Sequence, residues 1–447
     1  MSSLSLFAQP TDKFFAKQEV LADLSYLYES LQDAHYNAFA YTSEEEFLAA
    51  YQRVRASVVQ DSMSHLEVIN TFQQLIATIK NGHTEIDFPI ASYMNYATSG
   101  GTLFPLEIAF EEGRPLVRKN FSAAKEIASG AEVLSINGMP IQEVLNRIYP
   151  HISAERLYFK QAKLELISFP RYYWQVFGQQ DSFSVQIRQG GIIHTYTFPA
   201  VNLVTGYEYK RDEVLNAKME VKFFESAAYL NPGNLSGDEP AFQAFIDSAF
   251  AVILESGKPN LIIDLRNNRG GDDTFSDYVV SFIADKPFKW ISSLSIRSSK
   301  FLKAHIRANR DTTNEYNRLL LSKADGAVFP YEFEPYSPQP EQNRFQGKVY
   351  VLVNRQSHSQ SAVMAAQVQD YGFGTIVGEE TGDYPSLYAS QFQYTLPKTG
   401  VVVKVSKGYM VRVNGSKKPE GVIPDLMVKD YLLDEQDEIL DDLLKKL

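Results

Sequence analysis

Residues 346–381, QGKVYVLVNRQSHSQSAVMAAQVQDYGFGTIVGEET, are the stretch that decides the fold predicted for this chain. Val349–Val353 is an apolar, β-branched run with the length of a buried strand. Ala362–Val368 is a run of small residues that suits a helix packed closely on a sheet. The turn between them is polar and carries three serines at alternate positions: Ser357, Ser359 and Ser361.

A strand that ends in a sharp turn and leads into a helix is a suitable place for a nucleophile. The backbone N–H groups of the first helical turn have no intrahelical partner, so they can stabilise an oxyanion. Serine is equally favoured as a cap and turn residue. From this stretch alone the serines are therefore either catalytic or structural.

Composition limits the class of protein. The chain has 447 residues, 44% hydrophobic and 22% charged, which is enough for two or three globular domains. The net charge of −11, without a long basic stretch, argues against nucleic acid as a partner. The absence of cysteine excludes disulfides, thiolate catalysis and Cys-ligated metal sites. No apolar run is long enough to span a membrane.

The beginning of the chain bears on its location. Leu4–Ala8 followed by Gln9 resembles the end of a signal peptide's apolar region with a small-residue cleavage site, although the charged start is missing. We expect a periplasmic or secreted protein, and a cytoplasmic location is not excluded. The sequence is also compatible with a homo-oligomer.

Residues 10–95 show helical periodicity and are predicted to form an N-terminal helical domain. Its third helix should begin after Ser64, an N-cap followed by Glu67 at the third helical position, and end near Gly82. His83 follows directly. A histidine at a helix C-terminus is usually structural because the helix dipole favours a cation there. The residues alone leave its role open.

Residues 100–203 are predicted to form a second, β-rich domain. Gly130 leads into the strand Ala131–Ile136, Asn137–Gly138 forms a tight turn, and Ile141–Ile148 is a short helix. This order resembles a PDZ domain, although no clear carboxylate-binding loop is found. Residues 215–447 alternate strands and helices, which predicts an α/β core with its functional groups at the strand C-termini.

Two segments of this core resemble the S41 peptidase family, which includes tail-specific, C-terminal-processing and tricorn-core proteases. They are Leu261–Gly271, LIIDLRNNRGG, and Val351–Thr381. A third, Gly421–Asp425, is similar to a motif near the family's end. The resemblance implies a crotonase-like (ClpP/crotonase-type) α/β core, with an N-terminal helical domain and an inserted PDZ-like domain. Within the first segment, Asp264 and Arg266 are expected to form a buried polar pair that supports the glycine turn.

The resemblance places the nucleophile on Ser359. Tyr384 stands where the processing branch has its catalytic lysine, and a phenol with a pKa near 10 is a poor base. The tricorn-core branch uses a histidine instead, and NGHT at residues 81–84 is similar to its motif, which makes His83 the expected base. Gly82 stands where that branch has a serine. The tricorn-core branch also uses a glutamate, and Glu420 is the best match for it in this sequence.

The glycine turn completes the expected site. Gly270 or Gly271, together with the N–H of Gln360, would form the oxyanion hole. The resemblance thus implies a serine-type peptidase that acts on extended peptides, protein tails or unfolded protein, without metal or cofactor. Two alternatives remain: a non-catalytic S41-fold protein that binds peptides or other ligands, and an esterase or other acyl hydrolase.

Overall fold

The structure is a computed structural model, and it describes residues 13–215 and 218–447. The signal-peptide-like residues Leu4–Ala8 therefore lie outside the described part of the chain. The α-helices are α1 Lys17–Ala34, α2 Glu44–Ser57, α3 His65–Ile76, α4 Ile90–Thr98, α5 Ile141–Ile148, α6 Leu157–Ile167, α7 Phe169–Phe177, α8 Glu239–Glu255, α9 Asp273–Ser281, α10 Lys300–Asn309, α11 Glu315–Ser322, α12 Gln360–Tyr371 and α13 Glu438–Lys446.

The β-strands form three larger sheets and two short pairs. They are β1 Phe14–Ala16, β2 Ser62–Ser64, β3 Thr102–Leu103, β4 Leu106–Glu111, β5 Arg114–Asn120, β6 Glu132–Ile136, β7 Met139–Pro140, β8 Ser182–Gln189, β9 Ile192–Pro199, β10 Val201–Asn202, β11 Met219–Phe223, β12 Ala227–Pro232, β13 Asn260–Asp264, β14 Ser293–Arg297, β15 Val328–Tyr331, β16 Lys348–Val353, β17 Thr375–Gly378, β18 Leu387–Thr395, β19 Val402–Val411 and β20 Leu426–Met427.

The central sheet has the order β11-β12-β13-β16-β17-β20, and it is parallel from β12 to β20. Helices α8, α9 and α12 cover one face with a large apolar cluster, and α13 packs on the other. Such a sheet is buried on both faces, which explains why β13 and β16 read as continuous apolar runs. Because β13 and β16 are parallel neighbours, the turns that follow them meet at one edge.

A second sheet, β15-β14-β19-β18, is antiparallel and packs against the N-terminal helices. Residues of α1, α2, α3 and α10 share one hydrophobic cluster with β14, β18 and β19. The helices predicted from periodicity are present. They have no separate core, because their apolar faces are buried on this sheet.

The third sheet contains β4, β5, β6, β8 and β9, with β7 paired to β6, and it packs against α5, α6 and α7. The predicted tight turn lies between β6 and β7, where Asn137 and Gly138 have φ values of 51° and 78°. Positive φ at both central positions is what a two-residue hairpin turn of this kind requires. The resemblance to a PDZ domain and the domain boundaries stay predictions.

No helix within residues 13–215 and 218–447 combines the length and apolar character needed to cross a bilayer.

Candidate active site

Ser359 stands apart from its two neighbouring serines. It precedes α12 with φ 49° and ψ −125°, a strained conformation for a residue with a side chain. Ser357 Oγ donates to the carbonyl oxygen of Leu265, and Ser361 Oγ donates to that of Asn268. Ser359 Oγ makes no hydrogen bond to any described residue, and the side chain is only partly buried. The outer serines therefore hold the turn, and the hydroxyl of Ser359 has no partner among the described residues.

The glycine turn after β13 lies directly against this serine. A Cβ on Gly270 would come within 2.5 Å of the backbone nitrogen of Gln360, so no side chain fits there. The N–H of Gly270 donates to Asn268 Oδ1 at 2.8 Å. Gly271 follows with φ 155°, and a Cβ there would meet the carbonyl oxygen of Leu235. The two glycines thus make the turn and bring its backbone against the loop that carries Ser359.

The strand end below this turn carries the polar pair expected from the sequence. Arg266 Nη2 lies 2.7 Å from Asp264 Oδ2, and both side chains are largely buried. The same guanidinium also pairs with Asp437, just before α13. The predicted Asp264–Arg266 pair is confirmed.

His83 lies next to a carboxylate that the sequence did not indicate. Its Nε2 is 3.6 Å from Asp383 Oδ2, and its side chain is only 12% exposed. The backbone N–H of Ser359 donates to the same Oδ2 at 2.9 Å. His83 and Ser359 therefore meet on two sides of one carboxylate, although no hydrogen bond joins them within the described chain. His83 Nδ1 is buried and has no hydrogen-bond partner among the described residues.

The protonation states suit a general base. Burial lowers the pKa of His83 to about 4, partly opposed by the charges of Glu155 and Glu85. Burial raises the pKa of Asp383 to about 6, and the N–H groups of Ser359 and Tyr384 oppose that rise. At neutral pH the imidazole is therefore uncharged and the aspartate ionised. A neutral imidazole beside an ionised carboxylate is the state that a general base oriented by an acid requires.

A second acid, Glu155 of the β-rich region, contacts the two residues that precede His83. Its Oε1 accepts the backbone N–H of Gly82 and the side-chain amide of Asn81, both at 2.9 Å. Burial and the charge of Asp383 raise the pKa of Glu155. A Cβ on Gly82 would lie 2.6 Å from Phe159 Cε1. The serine that the tricorn-core pattern has at this position would not fit, and Glu155 holds the backbone instead.

Arg156 fixes the loop that carries Asp383. Its guanidinium donates to Glu380 Oε1 at 2.6 Å and to the carbonyl oxygens of Thr381 and Gly382. It also lies 5.0 Å from the ring of Tyr384. Tyr384, where the processing branch has a lysine, is buried, and its pKa is raised by burial. A phenol whose pKa is raised is unsuited to act as a base at neutral pH, and the ring packs within this loop.

The predicted Glu420 is not brought to His83. Its side chain is 43% exposed and lies 3.7 Å from Lys418 in a surface loop. The motif that follows it acts through its backbone: Gly421 N–H donates to Glu380 Oε1 and Val422 N–H to Thr381 Oγ1. The motif therefore supports the loop of Asp383 and supplies no acid.

A buried ionic cluster joins the loop that carries Ser359 to the β-rich region. Arg355 donates to Glu165 Oε2 at 2.9 Å, Glu111 Oε1 at 2.9 Å and Glu379 Oε2 at 3.1 Å. Gln356, the next residue, donates to Glu165 as well. Burial raises the pKa of Glu379 to about 7. Three carboxylates around one guanidinium fix the position of the loop just before Ser359.

A cavity of about 730 Å³ opens beside Glu155, between the helical and β-rich regions. Its lining includes Arg156 and Lys160 on one side and Arg53 and Lys80 on the other. Burial lowers the pKa of Lys160 to about 8, and its Nζ donates to the carbonyl oxygen of Tyr149. Solvent can therefore reach Glu155 and Arg156 through this cavity.

The structure thus combines a parallel α/β core, a strained serine at a strand-to-helix turn, a glycine turn against that serine and a histidine–aspartate pair. The sequence model of Peptidase family S41 matches residues 238–428. This match confirms the resemblance to the S41 family that the sequence predicts for the core.

The chain is similar to the tail-specific protease of Haemophilus influenzae, with 29% identity over 202 residues. That alignment covers 42% of this chain and 24% of the relative, so the chain spans about a quarter of the length of that curated relative. Among solved structures, mature CPAF matches with a TM-score of 0.61 and 17% identity, over 92% of both chains. Mature CPAF complexed with lactacystin matches with a TM-score of 0.63 and 17% identity, over 92% of this chain and 94% of that one. These likenesses confirm the predicted mixed α/β fold.

Proposed function

We propose that this protein is a serine-type peptidase that hydrolyses peptide bonds in extended peptides or protein tails, with Ser359 as the nucleophile. The observation that carries the proposal is the placement of Ser359 and His83 on one buried carboxylate, Asp383. The family of residues 238–428 and the strained backbone of Ser359 support it.

The chemistry follows from these positions. As Ser359 Oγ attacks the carbonyl carbon of the substrate, neutral His83 accepts its proton. Asp383 stabilises the imidazolium that forms. His83 then gives the proton to the leaving amine, and an acyl-enzyme remains on Ser359. Water attacks this ester with His83 again as base, which releases the acid product and restores the serine.

The oxyanion hole is assigned to backbone N–H groups. Gln360 is the first residue of α12, and its N–H has no intrahelical acceptor. Because Gly270 already donates its N–H to Asn268, Gly271 is the preferred second donor. Donors fixed by a turn and a helix start need no rearrangement during the reaction, and each is worth roughly 3 kcal/mol of transition-state stabilisation.

Two residues of the β-rich region are positioning residues for this chemistry. Glu155 holds the backbone on which His83 is carried, and Arg156 holds the loop of Asp383. Neither touches the reacting atoms. The β-rich region therefore helps to fix the positions of His83 and Asp383.

A fluorophosphonate probe tests the assignment, because it reacts with activated serines whatever the substrate sequence. The wild type should be labelled at Ser359 and Ser359→Ala should not, with unchanged thermal unfolding. Ser361→Ala is the matched control in the same turn, and it should still be labelled. Labelling at Ser361, or none in a folded wild type that still binds peptides, would favour the non-catalytic alternative. Hydrolysis of esters without peptides would favour the acyl hydrolase.

Lactacystin offers a second, independent measurement, since a CPAF structure contains it. If Ser359 reacts in the same manner as other activated hydroxyls, lactacystin should add to this residue and block the fluorophosphonate. Intact-mass measurement on wild type and Ser359→Ala separates this reaction from non-specific modification. An adduct that persists in Ser359→Ala would count against the assignment.

A further inference from the structure

A second, smaller cavity lies between α10, α11 and the strands β18 and β19. Its volume is about 270 Å³. Three of its lining residues carry or can carry positive charge: His305, Arg310 and Lys407. None of its lining residues is acidic, in a chain whose net charge is −11. We call it the Lys407 pocket.

Lys407 is a buried cation without a counterion. The residue is 7% exposed, and its Nζ donates to the carbonyl oxygen of Ser390 at 2.8 Å and to Ser390 Oγ at 2.7 Å. It forms no ion pair with any described carboxylate. By contrast, the buried guanidiniums of Arg211 and Arg355 each pair with carboxylates. A buried charge without a partner is costly, which is why such groups are normally paired.

The cations of the pocket also repel one another. Burial and, to a smaller extent, the charge of Arg310 lower the pKa of Lys407 to about 8. Burial lowers the pKa of His305, and the charges of Arg310 and Lys407 add to this lowering. Arg310 forms no ion pair within residues 13–215 and 218–447. The nearby Asp311 does not neutralise the pocket, because it is exposed and accepts hydrogen bonds from Thr313.

The backbone is shaped around the ammonium group. Ser390 lies opposite Lys407 on the neighbouring strand and has φ 55°, and the ladder pairing is interrupted there. The turn in the backbone directs both the carbonyl and the hydroxyl of Ser390 to Nζ. The ammonium group keeps a third donor. The next residue, Gln391, also lines the pocket, and its Nε2 donates to the carbonyl oxygen of His83 at 2.5 Å.

We propose that the Lys407 pocket binds an oxyanion group, a carboxylate or a phosphate, through Lys407 and Arg310. Such a group supplies the missing negative charge and relieves the repulsion between Lys407 and Arg310. Hydrogen bonds between ionised partners are the strong ones, so two of them suffice for a specific site. The pocket is separate from Ser359, and Gln391 connects it to the backbone of His83. The proposal concerns binding, so it does not depend on peptidase activity.

Isothermal titration with inorganic phosphate tests the site on the full chain. The wild type should bind one phosphate, and Lys407→Met and Arg310→Gln should each weaken binding at least about tenfold. Lys300→Gln is the matched control, since it removes an exposed cation from α10 outside the pocket. Because Arg310 is exposed, its variant should fold even where Lys407→Met does not.

A second titration distinguishes the source of the oxyanion. It uses the Ser359→Ala variant, to prevent turnover, and one peptide made with either a free or an amidated C-terminus. Tighter binding of the free carboxylate that depends on Arg310 would assign the pocket to a peptide terminus. Phosphate binding alone would assign it to a free anion. Binding of neither probe, or binding equal in wild type and both pocket variants, would overturn the proposal.

Discussion

Asp383 Oδ2 accepts the backbone N–H of Ser359 at 2.9 Å. The hydrogen bond fixes Ser359, the proposed nucleophile, through its main chain and does not engage its hydroxyl. His83 Nε2 lies 3.6 Å from the same oxygen, so one carboxylate sets the positions of both the nucleophile and the proposed base. Asp383 is therefore the residue on which the geometry of the site depends most directly.

Asp383→Asn should abolish most of the activity, on the order of a thousandfold or more by analogy with serine triads. The amide cannot stabilise an imidazolium, and it can reverse the tautomer of His83. Turnover of a peptide substrate by purified variant and wild type measures this loss. Retention of more than a tenth of the activity would show that His83 works without this carboxylate.

The same variant should change the pH dependence of folding stability. The pKa of Asp383 is raised from 3.8 to about 6, so the folded state holds its proton more tightly than the unfolded state. This stabilisation is fully present below about pH 4 and is lost as pH rises through about 6, with an upper limit of about 3 kcal/mol. Urea unfolding at several pH values should show that Asp383→Asn removes this part of the pH dependence. Parallel curves for the two proteins would contradict the assigned shift.

The pH profile of kcat/KM should rise from acid pH with an apparent pKa between about 4 and about 6. The value belongs to the coupled His83–Asp383 pair, since the active form needs a neutral imidazole and an ionised carboxylate. The lower limit reflects the burial of His83. This range lies below the ordinary value of histidine, which the sequence alone would suggest. An alkaline limb near the pKa of a lysine would be inconsistent with a histidine base.

Much of the site could be predicted because it lies in local sequence patterns. Two continuous motifs, Leu261–Gly271 and Val351–Thr381, contain the glycine turn and Ser359. Asp383 and Glu155 could not be found in this way, since only packing between distant segments brings them to His83. Asp383 directly precedes Tyr384, the position matched to the family lysine, and this proximity was the only available signal. The side-chain direction of Glu420 could not be predicted, because the contacts of the motif that follows it are made by backbone groups.

Glu155→Gln should lower kcat more than it raises KM. The amide oxygen can still accept one hydrogen bond from Gly82 N–H, but the negative charge that raises the pKa of His83 is lost. The acid limb of the pH profile should therefore move to lower pH, a change that a purely structural role would not produce. Glu143→Gln, on an exposed face of α5 in the same region, is the matched control. Equal profiles for Glu155→Gln and wild type would remove Glu155 from the site.

Arg355→Met should be strongly destabilising, by about 3–5 kcal/mol, because it leaves Glu111, Glu165 and Glu379 buried without their cation. The loss should be smaller at pH 5 than at pH 8, since the unpaired carboxylates can then take up protons. Chemical unfolding at the two pH values measures both effects. Arg344→Met, a half-buried arginine that donates to a carbonyl oxygen, is the control. A loss that is the same at both pH values would show that the cluster acts through packing alone.

Gly82→Ala tests whether the departure from the tricorn-core pattern is a steric requirement. The added Cβ would lie 2.6 Å from Phe159 Cε1, so the helix α6 or the segment carrying His83 must move. Overpacking of this kind costs about 1–3 kcal/mol, and a displaced His83 should lower kcat/KM as well. Phe159→Leu in the same chain makes room for the methyl group and should restore part of both losses, which calorimetry and peptide turnover measure. If Gly82→Ala is as stable and active as wild type, the glycine is not required by Phe159, and the absence of a serine at this position needs a different cause.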